Sequence, residues 1–235
     1  MKKNPKNIYE KLIEEFGNLN WWPFDKIYHQ KSSSDPRFEI IIGAILTQNT
    51  TWSNVEKALT NLKSKNLLDI ENISRLNINE LQELVKPSGF FNQKAKRLKI
   101  FSNFLIDKFN GDLDKFFNRD IHIIRNELLS LNGIGPETAD SIILYAGNMP
   151  IFVVDAYTKR LCQRLPLPTK ISYDEIQEFF QIMLSKNYSK KGIIKVYNEL
   201  HALIVIFAKT YCKKKPNCDK CPLGENCNYK KKLFQ

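Results

Sequence analysis

Four cysteines stand together near one end of the chain, as Cys212-x5-Cys218-x2-Cys221-x5-Cys227. Four thiolates in one loop can ligate a cubane iron–sulfur cluster or a tetrahedral zinc ion, and the spacing alone does not separate the two. Disulfides are the weaker reading, because the charged N-terminus has no apolar stretch behind it of the kind a secretory signal needs. The fifth cysteine, Cys162, lies amid Leu161 and Leu165 and reads as a core thiol. A second candidate is Asp155, which follows the apolar run Ile151–Val154 and opens a helix. It suits an N-cap. A carboxylate partly buried at a helix start and aimed into a cleft can also stabilise a cation-like transition state, and the two roles are compatible. The third candidate is Leu131-Asn132-Gly133-Ile134-Gly135-Pro136-Glu137-Thr138-Ala139. Its glycines allow a tight turn between helices, and Pro136 suits the first turn of the second, leaving N–H groups that can receive an anion. A plain inter-helix turn would use the same residues.

Charge points to the anion. The 235 residues carry 36 Lys+Arg against 25 Asp+Glu, a formal +11, so a nucleic-acid phosphate is the natural ligand. The excess is local: from Lys209 to Gln235 eight lysines face only Asp219 and Glu225. Lys213, Lys214 and Lys215 sit inside the first loop of the cysteine motif, where a metal would shape a basic loop that meets phosphate. Lys230–Lys232 read as a solvated tail. Four thiolates around a 2+ core carry a charge of about −2, which lowers the working charge to about +9. The longest apolar runs, Ile40–Leu46 and Ala202–Ala208, are seven residues each, against about 18 to span a bilayer. A protein of the cytoplasm is expected.

The elements that must position these groups read as helices. Apolar residues at three- and four-residue spacing mark Ile8–Phe16 and Trp52–Leu62, and Leu98, Phe101, Leu105 and Phe109 form one stripe within Lys94–Phe109. Asp120 is a candidate N-cap for Ile121–Leu131, and Ser172 with Glu175 has the capping-box spacing before Ile176–Leu184. Ile193, Val196, Tyr197, Leu200, Ile204 and Phe207 continue one face of a last long helix. Ser32–Pro36, Pro87–Gly89, Gly147–Pro150 and Pro166–Thr169 read as breaks between helices. No sustained alternation of strand length occurs, so the predicted class is all-α.

In this order and combination the three sites resemble the endonuclease III-type helix-hairpin-helix (HhH-GPD) DNA glycosylases. The Leu-x-Gly-x-Gly hairpin, an Asp about 20 residues later and the C-terminal four-cysteine loop carry the resemblance over nearly the whole chain. Ile45-Leu46-Thr47-Gln48-Asn49-Thr50 is similar to the family segment whose Gln enters the DNA stack. Gly89-Phe90-Phe91-Asn92-Gln93-Lys94-Ala95 is similar to its Gly-aromatic-x-Asn-x-Lys-Ala stretch, and His201–Cys212 resembles its helix into the cluster loop. The resemblance implies two helical lobes around a DNA-binding cleft: a central bundle with the hairpin, residues 30–148, and a cluster lobe, residues 1–29 plus 149–235, with the Fe–S loop at 212–227. It implies that Gly133, Ile134, Gly135 and Thr138 grip the DNA backbone together with Lys213, Lys214 and Lys215. Gln48 would fill the gap left by an extruded base, and Asp155 would face the extruded nucleotide. The ligands Cys212, Cys218, Cys221 and Cys227 would hold a [4Fe–4S] cluster in preference to zinc. The family's first gap is usually one residue longer than the five between Cys212 and Cys218, which bears on the shape of that loop.

A second departure is chemical. Bifunctional members place a lysine just after the hairpin, which forms a Schiff base with the sugar and leads to strand cleavage. Glu137 stands at the matching position, so the resemblance implies a monofunctional glycosylase without efficient AP lyase activity. Lys159 and Lys209 are the other lysines that could take that part, and neither matches the family's nucleophile. Trp21-Trp22-Pro23-Phe24, Gln48–Trp52 and Gly133–Asp140 look most like the 3-methyladenine glycosylase branch. A base pocket of Trp21, Trp22 and Glu137 would suit a cationic alkylated purine; Trp21 and Trp22 serve equally well as packing, and Trp52 reads as packing. The expected protein is a monomeric, nucleoid-associated base-excision-repair glycosylase acting on double-stranded DNA with a damaged base. The same residues leave three alternatives: an endonuclease III-like glycosylase/AP lyase on oxidised pyrimidines, a T·G or U·G mismatch glycosylase, and a non-catalytic DNA-binding Fe–S protein.

Overall fold

The computed structural model describes residues 4–167 and 172–233; the expected break at Pro166–Thr169 lies outside them from residue 168 onward. All regular structure in these residues is helical, in line with the sequence pattern. None of their helices is long and apolar enough to cross a membrane. The chain forms two compact units, Trp22–Met149 and the N-terminal stretch to Trp21 together with the residues from Pro150 onward. Residues 22–29, grouped with the terminal part on sequence grounds, cluster instead with the central part.

In the Trp22–Met149 unit the helix Pro36–Leu46 is buried at every position from Phe38 to Leu46, and a helix apolar on all sides belongs at the centre. Asp35 caps it, accepting from Arg37 N at 2.9 Å. One carboxylate is carried inside: Glu39, 2% exposed, receives Asp25 N (2.9 Å) and Lys63 Nζ (3.1 Å) and lies 2.8 Å from His29 Nε2. These partners offset the cost of burying a charge. The long helix begins at Phe91, three residues before the expected start at Lys94, because Phe90 in left-handed geometry (φ +46°) ends the preceding turn. Leu98, Phe101 and Leu105 are buried as the stripe predicts, whereas Phe109 is only half-buried and meets Phe104 and Phe116 ring to ring at 5.7 and 5.3 Å. Among the helices the periodicity did not mark are Ile70–Arg75, Ile78–Val85 and Leu113–Phe117. Each is too short to show a stripe, but Asp69, Asn77 and Asp112 cap them.

In the other unit, Pro5–Phe16 and Ala156–Arg164 pack on Lys190–Thr210. The buried segment Ile151–Val154 lies outside the helices, so its polar backbone needs partners from elsewhere. Gln177 Nε2 donates to Phe152 O (2.6 Å) and Phe152 N donates to Gln181 Oε1 (2.9 Å), one helical turn apart on Tyr173–Ser185. The Phe152 ring stacks on Phe180 at 4.6 Å. Ser172 caps that helix as expected, accepting from Glu175 N at 3.3 Å, while its hydroxyl donates to the Glu175 carboxylate. Cys162 is the core thiol the sequence suggests, 7% exposed and pushed up to about 12 by burial.

Candidate active site and cysteine loop

The hairpin joins helix Ile121–Ser130, capped by Asp120, to helix Pro136–Ser141, which runs on into the π-helical turn Ile142–Ala146. Ile134 is buried (5% exposed) and anchors the turn, while Gly133 takes φ +85°. Across the two helices Arg125 grips Asp140 with two bonds, of 2.7 and 3.2 Å. The Gln48 amide is turned onto this hairpin: Nε2 donates to Gly133 O (3.0 Å) and to Thr138 Oγ1 (2.8 Å). Its carbonyl accepts from Arg97 Nη1, and a Cβ on Gly133 would overlap the Arg97 side chain. The structure thus brings Gln48, Gly133 and Thr138 together and adds Arg97, which no sequence signal marked. Glu137 is exposed in the first turn of its helix. Trp22 is half-buried; its ring meets the edge of Trp52 at 5.3 Å and Tyr145 at 5.1 Å, and rests on Gly43, where a Cβ would stand 3.1 Å from Nε1. Packing is therefore part of what Trp22 and Trp52 do. Trp21, also half-buried, ends the N-terminal stretch of the other unit.

Asp155 is the N-cap of Ala156–Arg164 and only 7% exposed. Its Oδ1 accepts from Thr158 N (2.7 Å) and Thr158 Oγ1 (2.8 Å), so Thr158 closes the cap twice. Its Oδ2 lies 3.7 Å from His201 Nε2. Burial holds the His201 imidazole below its usual range, and the nearby Asp155 pulls the other way. The two lysines left over by the sequence both sit over aromatic rings: Lys159 Nζ is 5.8 Å from the Tyr173 centroid and Lys209 Nζ 6.0 Å from that of Tyr157.

The far end of the same helix holds the cysteine loop. Arg164, 9% exposed, donates to Cys212 Sγ (3.2 Å), Lys213 O (2.7 Å) and Lys214 O (3.3 Å), and covers the Tyr229 ring at 4.3 Å. Cys227 Sγ donates back to Arg164 O at 3.3 Å, and Arg160 Nε to Cys212 O at 2.8 Å. Cys212, Cys218, Cys221 and Cys227 line one partly open hollow, walled also by Leu161, Leu165, Phe207 and Leu223. Among the described residues no three of His, Cys, Asp and Glu converge on a point that could hold a single metal ion. Four soft donors around an apolar-walled space, with a guanidinium as counter-charge, fit an iron–sulfur cluster. Burial and then the neighbouring thiols push Cys218 up, and burial chiefly takes Cys221 to about 11. Lys213, Lys214 and Lys215 are exposed. Lys230–Lys232, read as a solvated tail, lie in the short helix Asn228–Leu233, which buries no residue, and Lys231 N donates to Cys227 O at 3.1 Å.

Known proteins are similar to this chain in sequence and in fold. The profile of the family described as "HhH-GPD superfamily base excision DNA repair protein" matches residues 42–186. A Methanocaldococcus jannaschii protein named "Putative DNA repair glycosylase MJ1434" is 45% identical over 223 residues, covering 94% of this chain and 94% of its own. The crystal structure of Helicobacter pylori 3-methyladenine DNA glycosylase bound to 1,N6-ethenoadenine superposes with a TM-score of 0.71 at 29% identity, over 88% of this chain and 98% of that one. A trapped endonuclease III–DNA covalent intermediate gives 0.75 at 22% identity, over 98% and 97%, a likeness of fold. With the hairpin and the cysteine-rich C-terminal region in place, the chain belongs to the HhH-GPD superfamily of base excision DNA repair proteins, as a DNA glycosylase of the endonuclease III type.

Proposed function

We propose that the protein is a monofunctional glycosylase that removes alkylated purines, such as 3-methyladenine, from double-stranded DNA. The observation that carries this reading is Asp155, a carboxylate 7% exposed whose Oδ1 is held by the helix cap. Breaking the C1′–N bond sends the electron pair out with the base and leaves positive charge on the sugar. Asp155 supplies the opposing charge, orients the attacking water and takes its proton as the oxygen bonds to C1′, giving the free base and an abasic site. Because Thr158 already fixes the carboxylate, little reorganisation is needed as that charge develops.

The substrate class follows from the leaving group. An alkylated purine carries positive charge before the bond breaks, so it departs without a general acid, and it pairs poorly, so it leaves the stack at lower cost. The likeness to the 3-methyladenine glycosylase supports this class, and Trp21 and Trp22 give π faces to a cationic base. Glu137, a carboxylate, cannot form a Schiff base, which supports hydrolysis without AP lyase activity. Gln48 fills the vacated stack; Gly133, Ile134, Gly135 and Thr138 hold the backbone, and Lys213, Lys214 and Lys215 meet phosphate. Cys212, Cys218, Cys221 and Cys227 hold a [4Fe–4S] cluster in preference to zinc, a reading supported by the likeness to endonuclease III. When bound, the cluster ties the basic loop into a fixed shape. The enzyme works as a monomer on nucleoid DNA in the cytoplasm.

Base release from duplexes carrying 3-methyladenine, 7-methylguanine, thymine glycol, U·G or T·G tests the reading. Release of the methylated purines, abolished by Asp155→Asn, is the expected result; release confined to thymine glycol or the mismatches overturns the substrate class. Borohydride present during turnover should trap no protein–DNA adduct, and an adduct would mean that a lysine does form the Schiff base.

A further inference from the structure

A side chain that fills a gap in DNA must arrive in a defined direction, and a glutamine on a loop is costly to order. Gln48 lies two residues past Leu46, where helix Pro36–Leu46 ends. Lys94, 1% exposed, donates to Leu46 O at 2.8 Å and to Ser88 O at 2.6 Å, pinning the point where the loop departs. Arg97 stands three residues further along the same helix, Phe91–Phe109, and so on the same face. It takes the Gln48 carbonyl, while the Gln48 amide donates to Gly133 O and Thr138 Oγ1. One helix face thereby grips the loop at two points. Gly133 completes the arrangement: with φ +85° and no Cβ, it leaves the space across the hairpin that the Arg97 side chain occupies.

We propose that Arg97 is the positioning residue for Gln48, fixing its amide against Gly133 and Thr138 so that the Gln48 loop and the hairpin meet a duplex as one preformed surface. This rests on the glycosylase reading, in which Gln48 enters the stack. The order is supplied before DNA arrives, so less of the binding free energy is spent on arranging the loop. A guanidinium suits the task because its planar fork is stiff, whereas a lysine ammonium would hold the carbonyl as a point charge.

A double-mutant cycle tests it. Affinities for a duplex with an abasic-site analogue, read by fluorescence anisotropy, are compared for the wild type, Arg97→Met, Gln48→Ala and the double variant; Arg97→Met keeps an aliphatic chain over Gly133 and removes the donor. Arg97→Met should weaken binding about ten-fold, as loss of one charge-assisted hydrogen bond does. In the Gln48→Ala background the same change should cost less than about two-fold. A 2-aminopurine next to the gap should show less quenching with Arg97→Met, and Arg97→Lys should recover only part of both signals. An equal loss in the two backgrounds would make Arg97 a separate phosphate contact and overturn the proposal, as would no loss. Should Arg97→Met fail to fold, Arg97→Gln is read in the same cycle with the same criteria. Failure of the glycosylase reading is distinct from either result: the wild type would release no base from any lesion.

Discussion

The two groups on which the proposed reaction depends are held in opposite ways. Asp155 is fixed by its own helix, with Thr158, three residues on, supplying both bonds to Oδ1. Gln48 is fixed by partners 49, 85 and 90 residues away in sequence. A cap forms whenever its helix forms, so the carboxylate needs little from the rest of the fold beyond burial. The Gln48 amide points where it does only once helix Phe91–Phe109, the hairpin and the end of Pro36–Leu46 have packed. The proposed chemistry would thus rest on a local motif and the proposed recognition on an assembled one.

Substitutions can break that contrast, and the largest effect is expected at Asp155. Asp155→Asn keeps an oxygen for the Thr158 bonds and removes the charge, so base release should fall by about 10²–10⁴ while urea unfolding changes by under about 1 kcal/mol. If stability falls as steeply as activity, cap and chemistry are not separable. Cys212→Ser tests whether the far end of the same helix depends on the cluster. Iron content and absorption near ~400 nm, expected of a [4Fe–4S] protein, should both drop, with a lower Tm in the full chain, since Arg164 grips this cysteine and the next two residues. Unchanged metal content would place the cofactor elsewhere.

The assembled side is sharpened by Lys94. Lys94→Met leaves the carbonyls of Leu46 and Ser88 without their donor, at a cost of about 1–3 kcal/mol. Burial, then Arg97, lowers the Lys94 ammonium to about 8 from 10.5. Between those values the unfolded chain binds more protons than the folded one, so this group makes stability rise with pH from about 8 to 10.5. That part of the slope should be missing from the variant's urea curves; parallel curves would show that Lys94 titrates normally. The smallest effect belongs to the exposed loop. Replacing Lys213, Lys214 and Lys215 by Ala should flatten the plot of log affinity against log salt by up to about 0.9 per lost phosphate contact, leaving excision of bound substrate unchanged. An unaltered slope would remove these lysines from the DNA surface.

Much of the molecule was legible because its signals are short-ranged. The caps at Asp120, Asp155 and Ser172 act within three residues, the stripe on Phe91–Phe109 repeats within one helix, and four cysteines within 16 positions announce themselves by type. Other features leave no such trace. Arg97 and Lys94 sit on a helix whose apolar stripe shows which face is buried but not whose carbonyls that face will meet. Glu39 lies in a run of Ile and Ala that reads as pure core, and only folding brings His29 and Lys63 to it. Gln177 and Gln181 look like solvent-facing polar residues, yet they satisfy the buried backbone at Phe152. Lys230–Lys232 are solvated as their composition suggests, but they lie in a short helix that composition alone did not show.

The helical class, the carboxylate at a helix start and the set of four thiols are legible from residue type and spacing along one stretch of chain, and the family from the resemblance that the combined motifs carry. Tertiary structure alone decided which way Gln48 turns, that a guanidinium lies across the hairpin glycine, and that Arg164 joins the cysteine loop to the helix Asp155 begins. Those contacts link residues tens of positions apart, and a hydrogen bond of that kind is specified by the packing that brings donor and acceptor within about 3 Å, not by the identity of either residue.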